Sequence, residues 1–171
     1  MTDNIDWNLI SPSPAMTSDS AATSAGELPK PIVLIVDDDR VVHMIAARVL
    51  ASMPVNVLYA HDGAQALEMV LEFKPDLIVT DALLPKLDGR ELCRKIKSSE
   101  GTRNCKVAVM TALYKGTRYR NEAMLTFLAD EFVEKPLTPE KLRHVVSHLL
   151  GIAPQIEPAA SRPITALAMA S

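Results

Sequence analysis

The sequence has little of several things. Its 171 residues include two cysteines, Cys93 and Cys105, and six glycines. Two separate thiols form neither a disulfide framework nor a paired metal motif, which suits a reducing compartment and gives a cytoplasmic expectation. The few glycines include no phosphate-cradling loop of the kind that binds ATP. The net charge is only −3, which argues against electrostatic binding to DNA, RNA or an anionic membrane. No 18 consecutive residues are apolar, so no bilayer-spanning helix is expected. The amino terminus lacks a basic start leading into an apolar stretch and does not read as a secretory signal. There is no internal repeat. Membrane, secreted and nucleic-acid functions are therefore weak expectations.

What is present is an apolar fraction of 48%, enough to fill one core with chain to spare. Of the twelve prolines, Pro12, Pro14, Pro29, Pro154, Pro158 and Pro163 fall in residues 1–30 and 152–171. Ser11 to Gly26 is mostly Ser, Ala, Thr and Pro, too poor in apolar surface to offset its chain entropy. Residues 1–30 carry the whole net charge of −3, while residues 31–151 balance 16 basic against 16 acidic residues. The expected organisation is a disordered tail over 1–30, one folded domain over 31–151 and a flexible tail over 152–171.

Two periodicities alternate inside that domain. Ile32 to Val36 is a short, β-branched run that suits a strand buried on both faces. Val55 to Ala60, Leu77 to Thr80 and Lys106 to Met110 are similar, and Glu131 to Glu134 is a weaker fifth. Between them Val42, Ile45, Ala46, Val49 and Leu50 share one helix face; so do Ala66, Leu67, Val70 and Leu71; Leu92 and Ile96 recur four apart. The last helix has a cap in Thr138, a first-turn Pro139, a stripe of Leu142, Val145, Val146 and Leu149, and a stop at Gly151. Five strands, each followed by a helix, imply an α/β fold with a doubly wound, five-stranded parallel sheet.

In such a sheet, ligands gather beyond the carboxyl ends of the strands. Strand one ends in Asp37-Asp38-Asp39, strand three in Asp81, strand four in Thr111 and strand five in Lys135. Asp39 has a structural role open to it, as cap of the first helix. Two carboxylates at about 4 Å repel by roughly 4 kcal/mol at an effective dielectric near 20. A raised pKa, the lysine or a divalent cation must therefore offset Asp37, Asp38 and Asp81. An oxygen-only donor set favours Mg2+. Capping explains neither Asp81 before Ala82-Leu83-Leu84-Pro85 nor Lys135 before Pro136.

Five motifs in order make a specific resemblance: Leu34-Ile35-Val36-Asp37-Asp38-Asp39, Pro75-Asp76-Leu77-Ile78-Val79-Thr80-Asp81, Leu84-Pro85-Lys86-Leu87-Asp88-Gly89, Met110-Thr111-Ala112 and Phe132-Val133-Glu134-Lys135-Pro136. Across residues 31–151 the sequence resembles the receiver domain of two-component response regulators. The resemblance implies a flavodoxin-like fold with strand order 2-1-3-4-5. It also implies phosphoryl transfer from a sensor histidine kinase or histidine phosphotransfer protein to Asp81, the phosphoacceptor. Asp38 and Asp81 would ligate Mg2+ directly, Asp37 mainly through water, and the backbone carbonyl of Leu83 would be the third protein ligand. Lys135 would pair with the phosphoryl group and Thr111 would hydrogen-bond it. Movement of Thr111 would let Phe132 turn inward, switching the surface of the fourth helix, fifth strand and fifth helix for a downstream protein effector. The Lys135-Pro136 bond is expected to be cis.

The sequence departs from the family pattern in places. Leu84 stands for the usual Met, and Leu128-Ala129 for the usual Gly-Ala. The segment Leu113 to Leu128 is a couple of residues longer than in compact members. Leu83 and Leu113 lie where the family tunes hydrolysis of the acyl phosphate; both are apolar, so self-dephosphorylation is expected to be slow. His144 and His148, four apart, have no evident third ligand and read as a solvated or interface edge. His43 and His61 read as isolated. Ile5 to Ile10, around Trp7, reads as a disordered start, with a docking peptide as the alternative. The leading expectation is a single-domain, non-enzymatic response regulator, monomeric or weakly dimerised by phosphorylation, with no output domain in either tail. It would act equally well as an end effector or as a middle carrier that hands the phosphoryl group to a histidine phosphotransfer protein. The alternatives are a scaffold that signals without phosphorylation and a small Mg2+-dependent phosphohydrolase. The latter wants a second carboxylate two residues after its nucleophile, where this chain has Leu83.

Overall fold

A computed structural model describes residues 29–112 and 127–153. In chain order these form β1 (Ile32–Val36), α1 (Arg40–Leu50), β2 (Asn56–Ala60), α2 (Gly63–Phe73), β3 (Leu77–Asp81), α3 (Gly89–Ser98), β4 (Lys106–Thr111), β5 (Glu131–Glu134) and α4 (Pro139–Leu150). The helix expected between β4 and β5, Leu113 and the segment around Trp7 lie outside the described residues.

All five strands are parallel, in the order β2-β1-β3-β4-β5, the order that the family resemblance implies. Successive side chains of a strand point to opposite faces, and the two cores divide accordingly. Leu34, Val36, Ile78, Val107, Val109 and Phe132 face α2 and α3, where they meet Ala66, Val70, Leu92, Cys93 and Ile96. Val33, Ile35, Leu77, Val79, Ala108, Met110 and Val133 face α1 and α4, where they meet Val42, Ala46, Val49, Leu142, Val145 and Val146. Each fully buried Leu, Ile or Val stabilises the fold by about 1.5–3 kcal/mol. Because both faces are covered, the strands read as continuous apolar runs and not as alternating ones.

Helix boundaries follow from their caps. Asp39 accepts a bond from the Val41 N–H, Asp62 from Gln65, Asp88 from Arg90 and Thr138 from Lys141. Gly151, with φ 64°, ends α4 in the left-handed conformation that glycine adopts without strain. Leu128 has φ 60°, so the leucine that replaces the family's usual glycine takes a backbone conformation that costs it about 1–2 kcal/mol.

Some expectations need correction. Leu71 does not join the buried stripe of α2: it is 59% exposed, because it points past the edge of the face that Ala66 and Val70 present. His43 and His61 are not isolated. The His43 ring is buried in α1 against Tyr59 and His61, 5.3 and 4.8 Å between centroids. Burial and the neighbouring His61 charge hold its pKa below the usual histidine value. On α4, His144 and His148 stack at 5.9 Å, and His148 Nδ1 lies 3.1 Å from Glu131 Oε2. Both cysteines are free and buried, and burial pushes each thiol up to about 12, so neither is reactive at neutral pH.

Candidate functional site

The carboxyl ends of β1, β3, β4 and β5 converge on one charged site. Asp37 follows the last residue of β1, and its N–H donates to the Ala60 carbonyl at 3.2 Å, extending the ladder to β2 by one residue. Asp81 is the last residue of β3, opposite Met110 of β4, and the Ala82 N–H donates to the Met110 carbonyl at 2.9 Å. Thr111 ends β4, and its carbonyl accepts the Lys135 N–H at 3.0 Å just beyond β5. Regular strand pairing therefore fixes four candidate positions before any side-chain contact is considered.

The side chains complete the arrangement. Asp37 is fully buried, and Asp81 and Thr111 are 8% and 4% exposed. Lys135 Nζ lies between the two carboxylates, 2.9 Å from Asp81 Oδ2 and 3.2 Å from Asp37 Oδ2. The other Asp37 oxygen accepts the Asp39 N–H at 2.8 Å. Asp38 is exposed, yet one carboxylate oxygen each from Asp37, Asp38 and Asp81 lie within 4.8 Å of one another. Among the described residues this is the one cluster of three or more such side chains placed to hold a metal ion. Asp39 is turned away to cap α1, the structural role the sequence left open to it. The Lys135-Pro136 bond is cis, as expected.

The electrostatics are unbalanced. Burial, the largest influence on Asp37, pushes its carboxyl above the ordinary 3.8, and the nearby Asp81 charge adds to the rise. The Asp39 N–H and the Lys135 ammonium oppose this without cancelling it. Burial alone would lower Lys135, but its bond to Asp81 and the charges of both carboxylates outweigh that and hold it above the ordinary 10.5. Among the described residues, one ammonium thus serves two of the three clustered carboxylates. The donors are all hard oxygens, with no histidine or thiol among them, the set that suits Mg2+.

The other sequence-derived positions fall around this centre. Leu83, two residues after Asp81, has a 58% exposed side chain on the loop from β3 to α3. Phe132 is 3% exposed and packed in the core facing α2 and α3. The sequence reading missed one charged pair beside the site: Lys86 Nζ lies 2.6 Å from Asp62 Oδ2, joining the loop after β3 to the start of α2. Asp62 before a helix carries the signal of a cap, but nothing local announces Lys86 as its partner.

The sequence profile of the response regulator receiver domain matches residues 33–147. Response regulator MprA of Mycobacterium ulcerans (strain Agy99) is 37% identical over 110 residues, 64% of this chain and 46% of that protein. The chain thus spans about half the length of the curated relatives it matches. A signal receiver domain of a signal transduction histidine kinase from Syntrophus aciditrophicus is 28% identical with a TM-score of 0.63, covering 75% of this chain and 96% of that one. The receiver domain of sensor histidine kinase PA1611 from Pseudomonas aeruginosa PAO1 is 27% identical with a TM-score of 0.62, covering 72% and 99%. That domain is described with a magnesium ion coordinated in its active site cleft. Among the described residues no helix is long and apolar enough to cross a membrane. Parallel sheet, acidic cluster and profile agree: this chain belongs to the response regulator receiver domain family of two-component signalling.

Proposed function

We propose that the unit spanning residues 31–151 accepts a phosphoryl group on Asp81 from a phosphohistidine of a sensor histidine kinase or histidine phosphotransfer protein. A protein effector would read the result. The observation that carries this is Lys135, wedged between the carboxylates of Asp37 and Asp81 at the strand ends, with Asp38 beside them. Such a site is built to receive further positive charge and then an anion. Asp37, Asp38 and Asp81 would hold Mg2+, with the Leu83 carbonyl as the remaining protein ligand. The ion, when bound, offsets charge on the phosphoryl oxygens.

The chain's own residues do the rest. An Asp81 carboxylate oxygen attacks phosphorus in line, the phosphorus–nitrogen bond to the donor imidazole breaks, and an acyl phosphate forms on Asp81. Lys135, released from sole service to the carboxylates, pairs with a phosphoryl oxygen. Thr111 supplies a hydroxyl from the adjacent strand end. Its shift toward the phosphoryl group would change the packing around Phe132, whose ring is already buried, and alter the surface of β5 and α4, biasing a two-state equilibrium. The expected fourth helix of that surface lies outside the described residues. No catalytic turnover is proposed beyond self-phosphorylation from a donor and slow self-dephosphorylation. The cytoplasm is the compartment that suits both the thiols and the donor.

Intact-protein mass after incubation with Mg2+ and a small phosphodonor tests this. One phosphoryl group should be gained, and lost both in Asp81→Asn and with a chelator. If Mg2+ binds but neither the small donor nor a phosphorylated phosphotransfer protein adds mass, the reading is overturned in favour of a scaffold that signals by binding alone.

A further inference from the structure

The Asp62–Lys86 bridge lies beside the site without touching it, and it joins two segments that the sheet alone does not hold together. Asp62 is 8% exposed and uses both carboxylate oxygens: Oδ1 accepts the Gln65 N–H at 2.8 Å, and Oδ2 accepts Lys86 Nζ at 2.6 Å. Lys86 comes from the segment 82–88 that connects β3 to α3. It has φ 64°, a left-handed backbone that a lysine adopts only under constraint.

The same two segments are pressed together by their backbones. A Cβ on Gly63 would lie 1.9 Å from the Leu87 carbonyl oxygen. At the far end of the segment, a Cβ on Gly89 would lie 1.8 Å from the Asp81 carbonyl oxygen, and the Gly89 N–H donates to the Ala82 carbonyl at 3.1 Å. An unbroken line of contact therefore runs from Asp62 and Gly63, through Lys86 and Leu87, to the backbone of Asp81. Leu83, whose carbonyl is the proposed third protein ligand, lies within the span so held. Leu87 also donates to the Pro85 carbonyl at 2.7 Å, a tight turn that leaves Lys86 little freedom of its own.

We infer that Asp62 and Lys86 form a positioning pair: the bridge clamps the 82–88 segment against the start of α2 and so presets the Leu83 carbonyl beside Asp81 for the cation. The inference rests on the phosphoacceptor reading above. Neither residue contacts substrate or metal; both act through the loop. An exposed ion pair on a free surface contributes little. Here the Lys86 side chain is 68% exposed, but the Asp62 side chain is 11% exposed, shares its carboxylate with a helix cap and holds a residue with a left-handed backbone.

Asp62→Asn keeps a good helix cap while removing the charge, Lys86→Gln removes the ammonium, and Lys86→Arg keeps the cation. Two measurements decide the matter: amide hydrogen exchange of residues 82–89 in the metal-free protein, and Mg2+ affinity by calorimetry. Asp62→Asn and Lys86→Gln should each speed exchange and weaken Mg2+ binding by about tenfold, the scale on which supporting partners tune a metal site. The double variant should be no worse than either single one, and Lys86→Arg should match the parent. Exchange and affinity within about twofold of the parent in both single variants would overturn the inference, leaving an ordinary surface ion pair. If the parent itself neither binds Mg2+ nor takes a phosphoryl group, the phosphoacceptor reading fails. The metal-free exchange data then still decide the clamp on their own.

Discussion

The two ends of the sheet carry the same residue types to opposite effect. At the amino end, Asp130 precedes β5 and receives three donors: Lys97 Nζ, Lys106 Nζ at 3.2 Å and the Val107 N–H at 2.8 Å. Lys97 also donates to the Cys105 carbonyl at 2.8 Å. Burial pushes the Asp130 carboxyl up, but the two lysines and the backbone N–H together hold it below its ordinary 3.8. At the carboxyl end, among the described residues, Lys135 is the one cation facing both Asp37 and Asp81, and Asp37 stands above its ordinary value. Two cations for one carboxylate make a finished structural knot. Among the described residues, one cation shared by two of three clustered carboxylates makes a site that still has something to bind. A buried Asp–Lys pair by itself thus says little about function; the local count of charges does.

Removing Lys135 should have the largest effect. Lys135→Met leaves the acidic cluster without its fixed counter-charge and the phosphoryl group without its partner. Phosphoryl uptake from a small donor should fall by about a hundredfold, the scale seen when one fixed donor to a reacting oxyanion is lost. Single-turnover uptake followed by mass would measure it. An unchanged rate would break the comparison, since the two ends would then differ only in appearance.

The matched aspartates provide the sharper contrast. Asp130→Asn leaves Lys97 half-served at a site whose side chains are 12% and 19% exposed. It should cost about 2 kcal/mol in denaturant unfolding, below the figure for fully buried pairs because water still reaches it, and leave phosphoryl uptake unchanged. Asp37→Asn should do the reverse: it should stabilise the metal-free fold by about 1 kcal/mol by removing one repelling charge, and weaken Mg2+ binding.

The signs with pH are also opposite. Asp130 has a lowered folded pKa, so its contribution is complete above about pH 3.8 and is lost as pH falls through the lower folded value. Asp37 has a raised folded pKa, so its ionisation penalises the metal-free fold at neutral pH. That penalty disappears as pH falls through the raised value towards 3.8. Urea unfolding of both variants and the parent across this range should therefore show one curve converging on the parent from below and the other from above.

The sequence made this contrast only half visible. Asp37, Asp38, Asp81, Thr111 and Lys135 could be found because parallel strands announce their ends: each polar residue terminates an apolar run, and the topology brings such ends together. Asp130 follows Ala129 in a connecting segment, and its partners lie 33 and 24 residues away in α3 and at the start of β4. No periodicity links those three positions. Asp62 and Lys86, 24 residues apart in two connecting loops, were hidden for the same reason. The stripes of α1 and α4 were legible through their caps and spacing, whereas Leu71 shows where spacing misleads: a residue beside the stripe fits the period and still faces water.

The smallest effect concerns what covers the two ends. At the amino end Thr102 is 8% exposed and spends its hydroxyl on the Ile96 carbonyl at 2.8 Å. At the carboxyl end Leu83 stands 58% exposed, two residues beyond the proposed phosphoacceptor. An isobutyl group there can shield an acyl phosphate but cannot orient a water molecule for attack, whereas a side-chain amide can do so by hydrogen bonding. Leu83→Asn should therefore shorten the phosphoryl lifetime, by about two- to fivefold, below the usual reach of a dedicated acid–base group because an amide orients water without taking its proton. Uptake and folding should be unaffected, since the replaced side chain is mostly in water and the proposed metal contact belongs to the backbone. Decay of the phosphorylated mass after donor removal would read the lifetime directly. A lifetime equal to the parent's would mean that water reaches Asp81 from another side, and that the exposed leucine is simply part of the surface its partner meets.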